Sequence, residues 1–103
     1  MPGYALLIQH KTKAGKRAEV QAVWRKHMHS AIMANEDHLA YFYCFGGNPD
    51  SICAFQQYPD AEAAAAFLRT PEYRRYEEEV SPLLEGDPVI TILGVQWSKQ
   101  DDM

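Results

Sequence analysis

The sequence predicts an α+β domain with the ferredoxin-like order βαββαβ. Four apolar segments have the length of strands, other segments repeat with the helical period, and turn residues separate the two kinds. Because 103 residues suffice for one hydrophobic core, we expect a single domain over residues 1–103. The expected sheet has four antiparallel strands and carries the helices on one of its faces.

The first strand and the first helix are expected before residue 35. Residues 4–10 (YALLIQH) are apolar between polar flanks, which is typical of a strand. After a turn at residues 12–16, one stripe of side chains repeats at helical spacing: Val20, Trp24, His27, Met28 and Ala31. We therefore expect an amphipathic helix over residues 14–34 whose stripe faces the sheet.

A β-hairpin is expected in the middle of the chain. Residues 38–45 (HLAYFYCF) and 51–58 (SICAFQQY) are rich in aromatic and apolar residues, and GGNPD turns the chain between them. A four-residue loop pairs Phe42 with Phe55, Tyr43 with Ala54, and Cys44 with Cys53. Because side chains alternate along a strand, the tyrosine pair lies on the opposite face from the other two pairs. Either face could line the core, with Tyr41 and Tyr43 or with the phenylalanines.

Two helical segments and a last strand complete the order. Asp60 is a good N-cap for an alanine-rich helix over residues 61–68, and Thr70 before a proline starts a helix over residues 71–84. Residues 89–97 (VITILGVQW) form the last expected strand.

The strands also predict association. Residues 38–45 and 89–97 are apolar at nearly every position, whereas a sheet with one solvated face alternates apolar and polar residues. Both sheet faces therefore need cover, and the helices supply it for only one. We expect a homodimer that buries more than about 1,000 Å² on the face turned away from the helices.

Charge and hydropathy exclude several kinds of partner. The net charge is −4 and the chain has no cluster of Lys and Arg, which argues against nucleic-acid binding. No apolar run approaches the about 20 residues of a membrane span, and the first residues lack the features of a signal peptide. With two cysteines and no export signal, we expect a cytoplasmic protein with reduced thiols and without membrane partners.

Three segments carry a family resemblance: KAGKRAEV, LAYFYCF and QQYPDAEAAAAFLRTPEY, in which the pairs Glu62-Ala63 and Thr70-Pro71 match. Through them, residues 4–97 resemble the antibiotic biosynthesis monooxygenase family. The resemblance implies a dimeric α+β barrel that acts as a cofactor-independent monooxygenase. It implies the oxidation of an aromatic, phenolic or quinol-like small molecule with dioxygen. The alternative is a non-catalytic dimer of the same fold that binds a small apolar or aromatic molecule.

Some residues depart from the family's pattern. Tyr58 replaces a strand-ending tryptophan, Ala54 an asparagine of some members, and Phe67 a frequent histidine. Heme-degrading proteins of this fold hold iron through a helical histidine, and no histidine follows His38 here. The resemblance therefore implies neither heme nor another cofactor.

The implied chemistry needs a proton acceptor, hydrogen-bond donors for an oxyanion, and apolar walls. His27 is the candidate catalytic base, because it lies in the apolar stripe of the first helix. The candidate walls of the substrate site are Trp24, Tyr41, Tyr43, Tyr58, Phe67, Tyr73 and Tyr76. Core packing is the alternative role for each of these residues, and His10 and His38, at strand ends, are expected to have edge or loop roles.

No metal site is expected. His27 and His29 are two residues apart on a helix and point away from each other, whereas helical ligand pairs are three or four residues apart. Cys44 and Cys53 approach each other across the hairpin, but two thiols alone do not make a site. We expect both thiols to be unpaired and to pack as small apolar groups.

Overall fold

The computed structural model describes residues 3–99, and it has the predicted α+β order of elements. In this range the strands are β1 (Gly3–Lys11), β2 (Ala40–Phe45), β3 (Ser51–Tyr58) and β4 (Val89–Val95). They form an antiparallel sheet in the order β2-β3-β1-β4. The helices are α1 (Arg17–His27), α2 (His29–Ala34), α3 (Ala61–Leu68) and α4 (Pro71–Val80).

The hairpin has the predicted register. Phe42 pairs with Phe55, Tyr43 with Ala54, and Cys44 with Cys53. The ring of Tyr43 packs against Trp24 of α1, with centroids 4.4 Å apart, whereas Phe42 is 58% exposed. The tyrosine face of the hairpin therefore meets the helices, and the phenylalanine face is open.

The predicted N-caps start α3 and α4. The Asp60 carboxylate accepts a hydrogen bond of 2.8 Å from the backbone N–H of Ala63. The Thr70 hydroxyl accepts one of 3.2 Å from the backbone N–H of Tyr73. Each cap satisfies a backbone donor that has no partner within its helix.

The helix predicted over residues 14–34 is in fact two helices. α1 begins only at Arg17, after Gly15 turns the chain with a φ of +76°. The helix breaks at Met28, whose side chain is still buried, while α2 beyond it buries none of its residues completely. Beyond Met28 the chain is less deeply buried: Ala31 and Ile32 of α2 pack against the core but stay partly exposed.

The helix predicted over residues 71–84 is also shorter. α4 ends at Val80 and is followed by a 3₁₀ turn, Ser81–Leu83. Pro82 lies in this turn and has no N–H for another α-helical hydrogen bond. The strands agree with the predicted ones to within a few residues.

The open face of the sheet is apolar, as the lack of alternation predicted. Phe42 on β2 and Val89 on β4 are each more than half exposed. On the other side of β4, Ile90 and Ile92 pair with Ile8 and Leu6 of β1 and are also exposed. The homodimer that would cover the open face of the sheet stays a prediction.

Three findings concern membrane spans, metal sites and thiols. Among the helices of residues 3–99, none combines the length and the apolar character of a membrane span. In the same range, no group of three His, Cys, Asp or Glu side chains could hold a metal ion. Cys44 and Cys53 are free thiols.

Candidate functional site

A small cavity lies between the sheet and the helices. Its volume is about 20 Å³, which is room for one water-sized molecule. Strands β1, β2 and β3 and helices α1, α3 and α4 supply its walls, together with Met28. The lining residues are Ile8, His10, Trp24, Met28, Tyr41, Tyr43, Ala54, Gln56, Phe67, Tyr73 and Tyr76. We call this space the central cavity.

The central cavity brings together most of the predicted wall. The predicted residues that line it are Trp24, Tyr41, Tyr43, Phe67, Tyr73 and Tyr76. Tyr58 is not among the lining residues; its side chain is fully buried, and its hydroxyl donates a hydrogen bond to Gln56, which does line the cavity. Ala54 and Phe67, which depart from the family's pattern, both belong to the wall.

His27 does not reach the central cavity. Its Nε2 lies 2.8 Å from Oε1 of Glu79 on α4, and the same oxygen accepts a hydrogen bond of 2.9 Å from Lys26 Nζ. The hydrogen bonds from His27 and Lys26 lower the pKa of the Glu79 carboxyl. The expectation that His27 faces the sheet is therefore wrong. The stripe of α1 is wide enough to contact two neighbours: Trp24 meets the sheet, and His27 meets α4.

The histidine at the central cavity is His10. Contrary to the expected edge role, it is only 8% exposed. Its Nε2 shares a hydrogen bond of 3.0 Å with the Tyr76 hydroxyl, whereas its Nδ1 is buried and has no hydrogen-bond partner among residues 3–99. Burial lowers the pKa of His10, so the imidazole is neutral at neutral pH. When Nε2–H donates to Tyr76, the lone pair on Nδ1 can accept a proton.

The alternation of β1 could have revealed His10. Leu6 and Ile8 belong to the core, and His10 follows Ile8 by two residues, so its side chain points to the same sheet face. The same parity places Gln56 beside Ala54 on β3, and Gln56 also lines the central cavity. The expectation of an edge role for His10 overlooked this shared face.

Hydroxyl donors surround the central cavity. The indole N–H of Trp24 donates a hydrogen bond of 3.0 Å to the Tyr41 hydroxyl oxygen, which leaves the Tyr41 proton available. The Tyr43 hydroxyl is buried and has no hydrogen-bond partner within residues 3–99. Burial raises the pKa of Tyr41 and of Tyr73 to about 12, and it also raises the pKa of Tyr43. These phenols are therefore protonated donors at neutral pH.

Tyr58 belongs to a chain of hydrogen bonds beside the central cavity. Its hydroxyl donates to Gln56 Oε1 and accepts a hydrogen bond of 2.9 Å from His38 Nε2. Asn35 Nδ2 donates to His38 Nδ1 at 2.8 Å. Because both ring nitrogens of His38 are engaged, His38 has no free lone pair for proton transfer. The chain instead connects the segment after α2 to β3 and orients Gln56 in the wall.

Replacing Tyr58 with phenylalanine is expected to destabilise the fold by about 1–3 kcal/mol, because His38 Nε2 and Gln56 Oε1 each lose a partner in a buried place. The free energy of unfolding in urea measures this change. Tyr4→Phe, at a half-buried tyrosine of β1, is the matched control and should be nearly neutral. An unchanged unfolding free energy for Tyr58→Phe would show that the chain of hydrogen bonds does not stabilise the fold.

Stability is expected to fall when the solution is acidified. Burial lowers the pKa of both His10 and His38 in the folded state, whereas a histidine in the unfolded chain has a pKa of about 6.5. Below about pH 6.5 the unfolded state binds more protons than the folded state. The contribution of the two neutral histidines to stability is therefore complete above that pH, and it is lost as the pH falls through their folded pKa values. The melting temperature should therefore be lower at about pH 5.5 than at about pH 7.5.

Two histidine variants test the origin of this pH dependence. His10→Gln removes one of the buried titrating groups and should reduce the difference between the two melting temperatures. His29→Gln, at an exposed position of α2, should leave the difference unchanged. Equal melting temperatures of the unmodified protein at both pH values would contradict the prediction.

Comparison with known proteins places this geometry among relatives. The family model described as antibiotic biosynthesis monooxygenase matches residues 3–79, which extend from β1 into α4. No curated protein matches the chain.

Solved structures share the fold at low sequence identity. A protein of Nitrosomonas europaea, named as a candidate antibiotic biosynthesis monooxygenase, has a TM-score of 0.85 and 16% identity over 92% of this chain and 91% of its own. Rv0793 from Mycobacterium tuberculosis has a TM-score of 0.83 and 17% identity over 96% of this chain and 99% of its own. A conserved protein from Methanosarcina mazei Go1 has a TM-score of 0.81 and 15% identity over 90% of this chain and 92% of its own. At these identities the likeness concerns the fold alone.

Proposed function

The chain belongs to the antibiotic biosynthesis monooxygenase family, and we propose that it oxidises an aromatic, phenolic or quinol-like small molecule with dioxygen, without a cofactor. The observation that supports this proposal most is the environment of His10. A buried, neutral imidazole has an unpartnered Nδ1 within residues 3–99 and lies beside tyrosine hydroxyls and aromatic rings. This chemistry requires a proton acceptor, hydrogen-bond donors for an oxyanion, and apolar walls.

The proposed reaction balances without an external reductant. A hydroquinone and one dioxygen give a hydroxyquinone and one water. One oxygen atom forms a new bond to a ring carbon, the other leaves as water, and the substrate supplies all the electrons. An electron-rich ring is therefore needed, and its phenolate is a better electron donor than the neutral phenol.

Residues of this chain can carry out the proton transfers and stabilise the developing charge. His10 accepts the phenolic proton on Nδ1 while its Nε2–H donates to the Tyr76 hydroxyl. The phenolate then transfers an electron to dioxygen, and the negative charge that develops on oxygen is stabilised by the hydroxyls of Tyr41 and Tyr43. The imidazolium finally returns its proton to the oxygen atom that leaves as water.

We further propose that the working form is a homodimer through the open face of the sheet. The apolar character of that face supports the proposal, since Phe42 and Val89 are 58% and 59% exposed in the single chain. A second copy on this face leaves the central cavity, on the other side of the sheet, free for a ligand.

Oxygen consumption with a panel of hydroquinones and anthrones tests the proposed reaction. With isotopically labelled dioxygen, we expect one labelled atom in the organic product and one in water. Ligand binding without consumption of dioxygen would contradict the proposal and would instead favour the non-catalytic binding protein.

A further inference from the structure

A second cavity adjoins the central one at His10. It has a volume of about 110 Å³ and lies between β1, α4, the turn Ser81–Leu83 and the segment that precedes β4. Both cavities are lined by His10, Tyr73 and Tyr76, so these three side chains form their common boundary. We call this second space the outer cavity.

The two cavities differ in what they can hold. The central cavity, at about 20 Å³, accepts one molecule of the size of water or dioxygen and no aromatic ring. The outer cavity, at about 110 Å³, is several times larger and is backed by the buried apolar side chains of Val80 and Leu84. Because an engineered apolar cavity of about 150 Å³ holds benzene, a space of about 110 Å³ with an open mouth is of the size that one ring needs.

The mouth of the outer cavity carries negative charge. Glu77 and Asp87 line it and are exposed, and no Lys or Arg is among its described lining residues. After burial, the charge of Glu77 is the second cause that raises the pKa of Tyr73. The field of this carboxylate therefore extends to the junction of the two cavities. A ligand with its own carboxylate meets like charges there.

We propose that the outer cavity binds the ring of an uncharged, single-ring quinol, and that the central cavity receives dioxygen. This assignment rests on the proposed function and names its substrate class. The quinol hydroxyl gives its proton to His10 at the junction, and the ring carbon bonds there to one oxygen atom of dioxygen. The other oxygen atom leaves as water, and the product is a hydroxyquinone. Glu77 and Asp87 select against carboxylated quinols.

Binding measured without dioxygen tests the charge selection. Under anaerobic conditions, calorimetry should show that methylhydroquinone binds more tightly than gentisate, its carboxylated counterpart. The variant with Glu77→Gln and Asp87→Asn should bind gentisate about fivefold more tightly, and this gain should exceed any change in the affinity for methylhydroquinone. Glu78→Gln, on the same helix but outside the lining, is the matched control and should change neither affinity. These positions are exposed, so the variants keep the core intact.

Two volume variants test the division between the cavities. Val80→Phe narrows the outer cavity and should weaken the anaerobic binding of methylhydroquinone. Ala54→Val narrows the central cavity and should raise the KM for dioxygen by a larger factor than it changes the Kd for methylhydroquinone. Circular dichroism of each variant shows whether its fold is retained.

The outcomes separate this assignment from the proposed function. If Val80→Phe weakens the binding of methylhydroquinone but the unmodified protein consumes no dioxygen, the outer cavity is a binding site and the proposed reaction is overturned. The reaction can also occur while gentisate binds as tightly as methylhydroquinone, or while the charge variant leaves the affinity for gentisate unchanged. Either result supports the proposed reaction and overturns the assignment of an uncharged quinol to the outer cavity. Failure of methylhydroquinone to bind the unmodified protein also overturns the assignment.

Discussion

Replacement of His10 by glutamine is expected to lower the rate of oxygen consumption by a factor of about 100 to 10,000, the usual contribution of a positioned general base. Glutamine can still form a hydrogen bond with Tyr76, but it has no basic nitrogen in place of Nδ1. Among the described residues that line the central cavity, no other side chain is basic. The loss should appear in kcat, measured with an oxygen electrode at saturating quinol.

The control for this experiment is the other candidate histidine. His27→Ala removes the hydrogen bond to Glu79 on α4, outside the central cavity, and should leave kcat nearly unchanged. If His27→Ala abolished the reaction and His10→Gln preserved it, the original expectation from the sequence would be right and the assignment of His10 would be wrong.

A single charge on the open sheet face is expected to dissociate the predicted homodimer. Phe42→Asp places a carboxylate on an apolar surface that a second copy would bury, and a symmetric interface contains each substitution twice. Light scattering at micromolar concentration should report a dimer for the unmodified chain and a monomer for this variant.

The matched control is Met33→Asp. Met33 is 75% exposed and lies on α2, on the side of the sheet that carries the helices, so this variant should remain a dimer. A monomeric unmodified protein would show that the open face has another role and that the lack of alternation was misread.

The sequence predicted the hairpin correctly because its causes are local. A four-residue loop sets which residues of β2 and β3 face each other, and alternation then separates Phe42 from Tyr43. The caps at Asp60 and Thr70 are equally local, since each side chain binds a backbone N–H three residues ahead.

The candidate site was only partly predictable. Aromatic side chains of the helical stripes and of β2 line the central cavity as expected, because large rings are buried wherever the core is. The predicted places of two histidines were wrong, because His27 contacts α4 and His10 lines the central cavity. The place of His27 depends on how α4 packs beside α1, and the burial of His10 depends on Tyr76, which lies 66 residues away along the chain.

The sequence by itself therefore determined the order of the elements, the hairpin register and the division of its side chains between two sheet faces. These depend on turns, caps and periodicity, which act between near neighbours in the chain. Only the tertiary structure decided that the tyrosine face meets the helices, that His10 and not His27 reaches the central cavity, and that an outer cavity adjoins it. Those features depend on the packing of α1 and α4 across the sheet, which no local pattern of residues specifies.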